Sequence, residues 1–232
     1  MSPRSVFIEA RGAILESLGS ELSCPFVQAF PVDGASISVL AGPATGLTVS
    51  ASDAVATRLD ELQFDLGEGP CWSALAHRLP VLMDAHADDT EWPTFRRAIA
   101  GDAIADRVGA VYAFPLAIGT LDIGAIDLYS DDPSPLTREL LSEASSLADI
   151  TAWRVLRTIM QDHSQDYDAE SIGYSRREVH QATGMIIIQL GVSPEDAELL
   201  LRAHAFAGSR TVRDVAKDVV ERRLDFATRG ND

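Results

Sequence analysis

The pattern of apolar residues changes once along this chain, and that change constrains its fold more than any other feature. Residues 35–51 and 108–129 contain runs typical of β-strands. From Arg176 onward the apolar residues recur at helical spacing. The chain has 232 residues, which is enough for two small domains. We therefore expect an α+β protein made of two dissimilar parts.

The formal net charge of −16 is distributed unevenly between these parts. Residues 1–170 carry 10 Lys+Arg against 26 Asp+Glu, whereas residues 171–232 carry 9 of each. All of the excess acid lies in the first part, which argues against a nucleic-acid partner there but not in the C-terminal part. The two parts are expected to have different partners.

Composition and targeting signals indicate a cytoplasmic protein. The hydrophobic fraction of 46% and the charged fraction of 23% are ordinary for a globular chain. No stretch reaches the roughly 18 apolar residues that cross a bilayer, and the N-terminus does not resemble a secretory signal. The two cysteines are too few for a disulfide framework or a four-thiolate zinc site. We expect no membrane and no metal.

The first part has the element order of a small fold that mixes strands and helices. The patterns predict a hairpin over 35–51 and a strand pair over 108–115 and 121–129. They also predict a short strand at 80–84 and helices over about 4–19, 53–63, 92–100 and 136–160. The polar residues 161–175 are predicted to be a linker or a solvated continuation of the last helix. Gly67-Glu-Gly-Pro70 is a tight turn into a further helix.

Four sequence blocks in this part resemble the GAF domain over about residues 20–158. They are Leu66-Gly-Glu-Gly-Pro-Cys-Trp-Ser-Ala-Leu75, Arg78-Leu-Pro-Val81, Ala113-Phe-Pro-Leu116 and Gly124-Ala-Ile-Asp-Leu-Tyr129. The resemblance implies an antiparallel sheet with helices and a pocket for a small molecule. Candidate lining residues are Cys71, Trp72, His77, Trp92, Phe95 and Tyr112. No haem, bilin or cyclic-nucleotide signature is present, so the ligand and any cofactor are unknown, and none is required.

Cys71 has two open interpretations. It follows Pro70 at the start of a helix, and the N-terminus of a helix can lower the pKa of a thiol and make the cysteine reactive. Cysteines in apolar surroundings are more often small buried hydrophobes without a chemical role.

Three helices are predicted in the C-terminal part. The first runs from Glu178 to Leu190, the second opens at the strong start signal Ser193-Pro194, and the third runs from Thr211 to about Leu224. The third helix has an apolar face made of Val212, Val215, Ala216 and Val219. His204 lies on the apolar side of the second helix and is predicted to be a half-buried core histidine.

This part resembles the ANTAR domain over about residues 172–226. The resemblance rests on Val179, Ala182, Gly184, Met185 and Ile186 in the first helix, Gly191-Val-Ser193 and Ala197, then Leu200, Leu201, His204, Ala205, Val215 and Ala216. Gly184 is expected to permit close helix approach, because a helical glycine is costly. Many members of the family have an Asn just before the third helix, whereas this chain has Gly208-Ser209-Arg210. A contact that the Asn makes with an RNA base in those proteins is therefore in doubt here.

Together the two resemblances imply a GAF and ANTAR domain-containing transcription antitermination regulator of the actinobacterial type. They imply a three-helix bundle that binds RNA stem-loops in nascent transcripts and prevents termination. We expect a GAF domain at 1–158, a linker at 159–175 and an ANTAR domain at 176–228. The basic residues predicted to contact RNA are Arg176, Arg177, Arg202, Arg210, Arg213 and Lys217.

A homodimer is expected, because two copies of a neutral domain gain avidity for a polyanion. The long helix offers an apolar stripe for dimerisation, formed by Leu140, Ala144, Leu147, Thr151 and Val155. Packing of the same stripe on the sheet is the alternative.

Two other classes of function remain as alternatives. Thr211-Val-Arg-Asp-Val-Ala resembles the opening of a helix-turn-helix DNA-binding motif, but no second recognition helix follows it. A cysteine-based sulfoxide reductase related to GAF domains needs several cysteines placed together, and Cys24 and Cys71 are too few. No P-loop, dinucleotide fingerprint, nucleophile elbow or zinc-protease motif occurs. We expect no catalytic residues.

Overall fold

A computed structural model of the protein describes residues 21–42, 45–87, 90–133, 136–162, 177–208 and 210–227. The chain divides into two compact units, residues 1–174 and 175–232, and each is described by itself. The predicted helix over 4–19, most of the predicted linker and Arg176 lie outside the described residues. Within the described ranges, no helix has the length and apolar character needed to cross a lipid bilayer.

The N-terminal unit is built on a five-stranded antiparallel sheet. Its strands are β1 (Gly34–Gly42), β2 (Thr45–Ala51), β3 (Val81–Asp84), β4 (Ala110–Ile118) and β5 (Leu121–Ser130), in the order β2-β1-β5-β4-β3. Its helices are α1 (Cys24–Ala29), α2 (Ala54–Leu66), α3 (Pro70–His77), α4 (Pro93–Ala100) and α5 (Arg138–Asp162). The predicted fold class is confirmed. Helix α1 was not predicted, because six residues starting at a cysteine and a proline show no helical period.

Helices cover both faces of this sheet. On one face α1 and α5 pack against alternate residues of β4 and β5, among them Tyr112, Phe114, Ile126 and Leu128. On the other face α2, α3 and α4 pack against Val111, Tyr129, Ala125 and the residues around them. Because successive side chains of a strand point to opposite faces, neighbours such as Val111 and Tyr112 belong to different cores.

The apolar stripe of α5 packs on the sheet of its own chain. Ala144, Leu147 and Thr151 have no exposed surface, and Val155 is buried with them. The expectation that this stripe forms a dimer interface is therefore wrong, since burial against β4 and β5 already uses it. The sequence pattern was ambiguous because a helix that covers a sheet and a helix that pairs with a copy need the same apolar spacing.

The Gly67–Pro70 turn fixes three helices at once. Gly67 ends α2 in the left-handed region at φ 62°, and Gly69 has φ 143°, where a Cβ would lie 2.5 Å from the Gln63 side chain. The carboxylate of Glu68 accepts hydrogen bonds from the backbone amides of Thr94 (2.7 Å) and Phe95 (3.0 Å). One short turn therefore ends α2, starts α3 and caps α4.

The C-terminal unit is a three-helix bundle of α6 (Arg177–Leu190), α7 (Pro194–Ala207) and α8 (Val212–Val220). Ser193 and Thr211 cap the second and third helices through side-chain hydrogen bonds to the amides of Asp196 and Asp214. The predicted face of α8 is confirmed. The core that holds the three helices together consists of Val179, Ala182, Ile186, Ala197, Leu201, Ala205, Val212, Val215, Ala216 and Val219.

Two expectations for this unit are wrong. Helix α8 ends at Val220, four residues before Leu224, because Arg222 adopts a left-handed conformation at φ 57°. The chain then folds back, so that Leu224 and Phe226 pack against the core. A Cβ added at Gly184 would meet nothing within 4 Å, so this glycine does not serve close packing within the bundle.

Candidate functional site

The exposed side of α8 is divided into a basic and an acidic edge. At 100° per residue, Arg213 and Lys217 lie about 40° apart, on the opposite edge of the exposed side from Asp214 and Asp218. Both basic residues are exposed, and the Arg213 guanidinium is 4.0 Å from Glu178 at the start of α6. Lys217 forms no ion pair with another residue of the described ranges. This edge presents two cations side by side.

Arg210 forms an ion pair with the acidic edge of α8. Its guanidinium lies 2.7 Å from the carboxylate of Asp218 and donates to the backbone oxygen of Asp214. Arg223, which the sequence prediction left out, lies 2.6 Å from the same carboxylate. Hydrogen bonds from Arg210 and Arg223 hold the pKa of Asp218 below its usual range. Arg210 is therefore less available to a phosphate than Arg213 or Lys217.

The remaining predicted RNA contacts are spread over the bundle. Arg202 lies on α7 with a partly exposed side chain. Arg177 is the first residue of α6, and Arg176 lies outside the described residues. Arg222, which the sequence prediction left out, is exposed two residues after the end of α8, and the Arg222-Arg223 pair was the signal that could have added it to the candidates. His204 is half-buried as predicted, with its ring 5.5 Å from that of Phe226.

The structure does not bring the six predicted pocket residues together. Tyr112 lies on the α5 side of the sheet, where its hydroxyl accepts a hydrogen bond from the amide of Leu136. Trp92 and Phe95 belong to the core under α4, whereas Cys71 packs beside Phe64 and Trp72. His77 is exposed at the end of α3.

The indole N–H groups of Trp72 and Trp92 both donate hydrogen bonds within the N-terminal unit. Trp72 donates to the backbone oxygen of Gln63, and Trp92 donates to the hydroxyl of Ser73, both at 2.9 Å. Tryptophans that are satisfied in this way hold α3 against its neighbours.

A cavity of about 210 Å³ lies elsewhere in this unit, between the end of β3 and α4. Met83, Ile99 and Val108 line its apolar part, and His86 and Arg96 contribute polar groups. The Arg96 guanidinium donates to the backbone oxygens of Asp84 (2.7 Å) and Glu91 (3.0 Å), which holds the connection between β3 and α4. Sequence reasoning missed this cavity because its lining residues come from three separate segments that no motif links.

A second group of polar residues lies buried between the sheet and helices α2 and α3. The Asp60 carboxylate accepts hydrogen bonds from the hydroxyls of Ser36 (2.8 Å), Ser38 and Thr48 (2.9 Å). Burial raises the pKa of Asp60 to about 6. Asp127 on β5 is buried nearby, and burial, reinforced by the charge of Asp60, raises its pKa well above the usual range. The environment of both carboxyls favours the protonated form more than water does.

The two cysteines are not placed for joint chemistry. Cys24 is exposed at the start of α1, and Cys71 is buried in the first turn of α3. Burial raises the pKa of the Cys71 thiol well above its ordinary value, and the charges of Asp127 and Asp60 raise it further. Because the thiolate is the reactive form, this environment makes Cys71 a poor nucleophile. The packing favours its interpretation as a small buried hydrophobe.

Comparison with solved structures identifies the fold of the N-terminal unit. The chain is similar to the GAF domain of a phosphoenolpyruvate-protein phosphotransferase from Coxiella burnetii, with 8% identity and a TM-score of 0.55 over 69% of this chain and 96% of that one. The corresponding GAF domain from Acinetobacter gives 12% identity and 0.53 over 70% and 99%. Free methionine-R-sulfoxide reductase from Neisseria meningitidis, in complex with its substrate, gives 13% and 0.51 over 68% and 91%.

At such low identities these similarities establish the fold alone. No curated protein gives a significant sequence match. In the C-terminal unit, residues 174–220 match the family model of the ANTAR domain. The chain therefore combines an N-terminal unit of GAF-like fold with a C-terminal ANTAR domain.

Proposed function

We propose that the protein is a cytoplasmic regulator that binds RNA stem-loops in nascent transcripts and prevents termination of transcription. The match of residues 174–220 to the ANTAR domain carries this proposal. The exposed basic edge of Arg213 and Lys217 supports it, because Lys217 has no ion pair in the described ranges and Arg213 has only a long one, of 4.0 Å to Glu178, so both are available to phosphates. With so few such groups, affinity must come from local contacts to loop bases and backbone rather than from a general field.

Arg202 and Arg177 extend this surface onto α7 and α6 in the proposal, with Arg176 preceding α6. Arg222 joins them because of its exposure beyond α8. Arg210 takes a secondary role, since its guanidinium is held by Asp218 at 2.7 Å. A fork-shaped guanidinium binds phosphate or base edges with two parallel hydrogen bonds, and pairing with a carboxylate uses the same donors.

The N-terminal unit is proposed to receive the signal, in the form of a small molecule. The cavity near Met83 is our candidate site, because it combines apolar walls with the polar groups of His86 and Arg96. Its volume of about 210 Å³ lies below the range of roughly 300–1,000 Å³ found for drug-sized ligands, so a small ligand is expected. The proposed regulator carries out no reaction of its own.

Two copies of the chain are proposed to act together. Each bundle offers few free cations, and joining two of them raises the effective concentration of the second site. Paired stem-loops in one transcript would then engage both copies.

The discriminating experiment is a fluorescence titration of the full chain with an RNA of two hairpins and with a duplex DNA of equal length and charge. We expect the RNA to bind at least tenfold more tightly, with a shallow dependence on salt because few phosphates are neutralised. Equal affinity for both would contradict the proposal. Preference for the duplex DNA would support the helix-turn-helix alternative.

A further inference from the structure

One aromatic side chain of the C-terminal unit lies in solvent. Phe206, in the last turn of α7, is 74% exposed. Phenylalanine is among the residues most often buried, so a ring this exposed on a small bundle is a feature to be explained. Single exposed apolar residues are common, and the neighbours of Phe206 decide whether this one marks a binding site.

Arg202 precedes Phe206 by four residues on the same helix. At this spacing two helical side chains lie about 40° apart and one turn from each other, so they are neighbours on the surface. Arg202 is partly exposed and forms no ion pair with another residue of the described ranges. A planar apolar ring and a free guanidinium therefore share one side of α7. This combination suits a nucleotide, which offers a flat base and an anionic phosphate.

The charges along α7 favour a polyanion at the Phe206 end. All three acidic residues of the helix, Glu195, Asp196 and Glu198, lie in its first five positions, and the residues from Leu199 to Gly208 include no acid. The next helix begins four residues after Gly208 and carries the exposed Arg213 and Lys217. Leu199, which is 59% exposed, lies on the same side of α7 two turns before Phe206, but it is flanked by the carboxylates, so the acid-free part of this side is the part that holds Arg202 and Phe206.

We propose that Phe206 is a stacking platform for an unpaired base in the loop of the bound RNA, with Arg202 contacting the adjacent phosphate. The inference rests on the proposed function and adds which part of the RNA is recognised at this surface. A base in a duplex has both faces covered by its neighbours, so a single ring can stack only on a base of a loop or an end. Stacking tolerates any base, and Phe206 is expected to select unpaired bases rather than a sequence.

The test compares two RNAs in titrations with the full chain. One has two hairpins with adenines in the loops, and the other is identical except that the loop adenines are abasic. Phe206→Ala is expected to lower the affinity for the adenine loops about tenfold, because stacking on an aromatic side chain contributes about 1–3 kcal/mol per base. It should leave the affinity for the abasic loops unchanged. Phe206→Trp should restore binding, since it supplies a larger ring.

Leu199→Ala is the matched control on the same helix, an exposed apolar residue that should leave both affinities unchanged. Both side chains are mostly exposed and neither belongs to the core of the bundle, so far-UV circular dichroism should match the wild type. If Phe206→Ala binds the adenine loops as well as the wild type does, the stacking inference is overturned and the proposed function stands. If the wild type binds neither RNA more tightly than duplex DNA, both are overturned. If Phe206→Ala and Leu199→Ala both lower the particle mass in light scattering, the face is a protein interface and the inference fails.

Discussion

The side-chain amide of Gln63 on α2 donates a hydrogen bond to the Asp127 carboxylate on β5, inside the N-terminal unit. This bond reaches Oδ2, whereas Oδ1 of Asp127 is buried without a hydrogen-bond partner in the described part of the chain. Gln63 also accepts a hydrogen bond from the amide of Cys71 at 2.9 Å, so one side chain joins α2, α3 and β5. The single hydrogen bond from Gln63 would not offset the cost of burying an ionised Asp127 carboxylate.

The N-terminal unit should therefore lose stability as the pH rises from about 4 to 7. Asp60 has a folded-state pKa of about 6 against an ordinary value of 3.8, so folding favours its protonated form. That contribution is present below pH 4 and is lost as the pH passes 6; for Asp60 alone it amounts to about 3 kcal/mol. The raised pKa of Asp127 acts in the same direction. Urea denaturation at several pH values measures the effect.

Asp127→Asn should make this loss of stability with pH smaller, because the neutral amide removes one of the two buried acids. Asp149→Asn on the exposed side of α5 is the control and should leave the pH profile as it is in the wild type. A wild-type unit whose stability increases between pH 4 and 7 would contradict the prediction.

Glu68→Ala should destabilise the N-terminal unit by about 1–2 kcal/mol, because the first-turn amides of α4 lose their acceptor. Its carboxylate accepts from Thr94 and Phe95 at 2.7 and 3.0 Å. Glu68→Gln keeps an oxygen acceptor and should cost less than half as much. Chemical denaturation followed by tryptophan fluorescence measures both variants, and equal losses for the two would show that the cap is unimportant.

Gly184→Ala should stabilise the C-terminal unit by about 0.5–1 kcal/mol, since alanine has the higher helix propensity and the added Cβ meets nothing within 4 Å. Gly191→Ala is the matched comparison and should destabilise the unit by about 1 kcal/mol, because Gly191 has φ 66°. Hydrogen exchange of the amides in α6–α8 reports both changes. Loss of protection in Gly184→Ala would restore the original expectation that this glycine is needed for packing.

Replacing Arg202, Arg213 and Lys217 together by alanine should weaken binding to hairpin RNA at least tenfold, or about 1.4 kcal/mol. None of the three belongs to the buried core, so the variant should stay folded. The control removes the same charge from exposed positions of the N-terminal unit, Arg97, Arg107 and Arg138. Gel-shift titration measures all three proteins. An unchanged affinity in the folded triple variant means that RNA binds elsewhere.

The proposed dimer should appear in light scattering as a mass about twice the 25.0 kDa of one chain at micromolar concentration. The interface cannot be the Leu140–Val155 stripe, which is buried on the sheet. A mass of about 25.0 kDa without RNA, together with the mass of a single chain plus one RNA when RNA is bound, would rule the dimer out.

The kind of C-terminal domain was indicated by a resemblance to a known family, whereas the sequence alone determined the fold class and the element order apart from α1. These follow from local rules: Ser193-Pro194 starts a helix by capping, Gly119-Thr120 turns a hairpin, and the spacing of Val212, Val215 and Val219 fixes a buried face. Each rule acts within a few residues, so a linear pattern is enough to reveal it.

The tertiary structure decided which partner each face meets. It placed the α5 stripe on the sheet, put Tyr112 and Phe95 in separate cores, and brought Asp60 and Asp127 together under β5 from positions far apart in the chain. It also showed that Asp218 holds Arg210 while Lys217 stays in solvent. Such contacts join residues that are distant in sequence, and apolar spacing or charge alone does not specify which surfaces pack together.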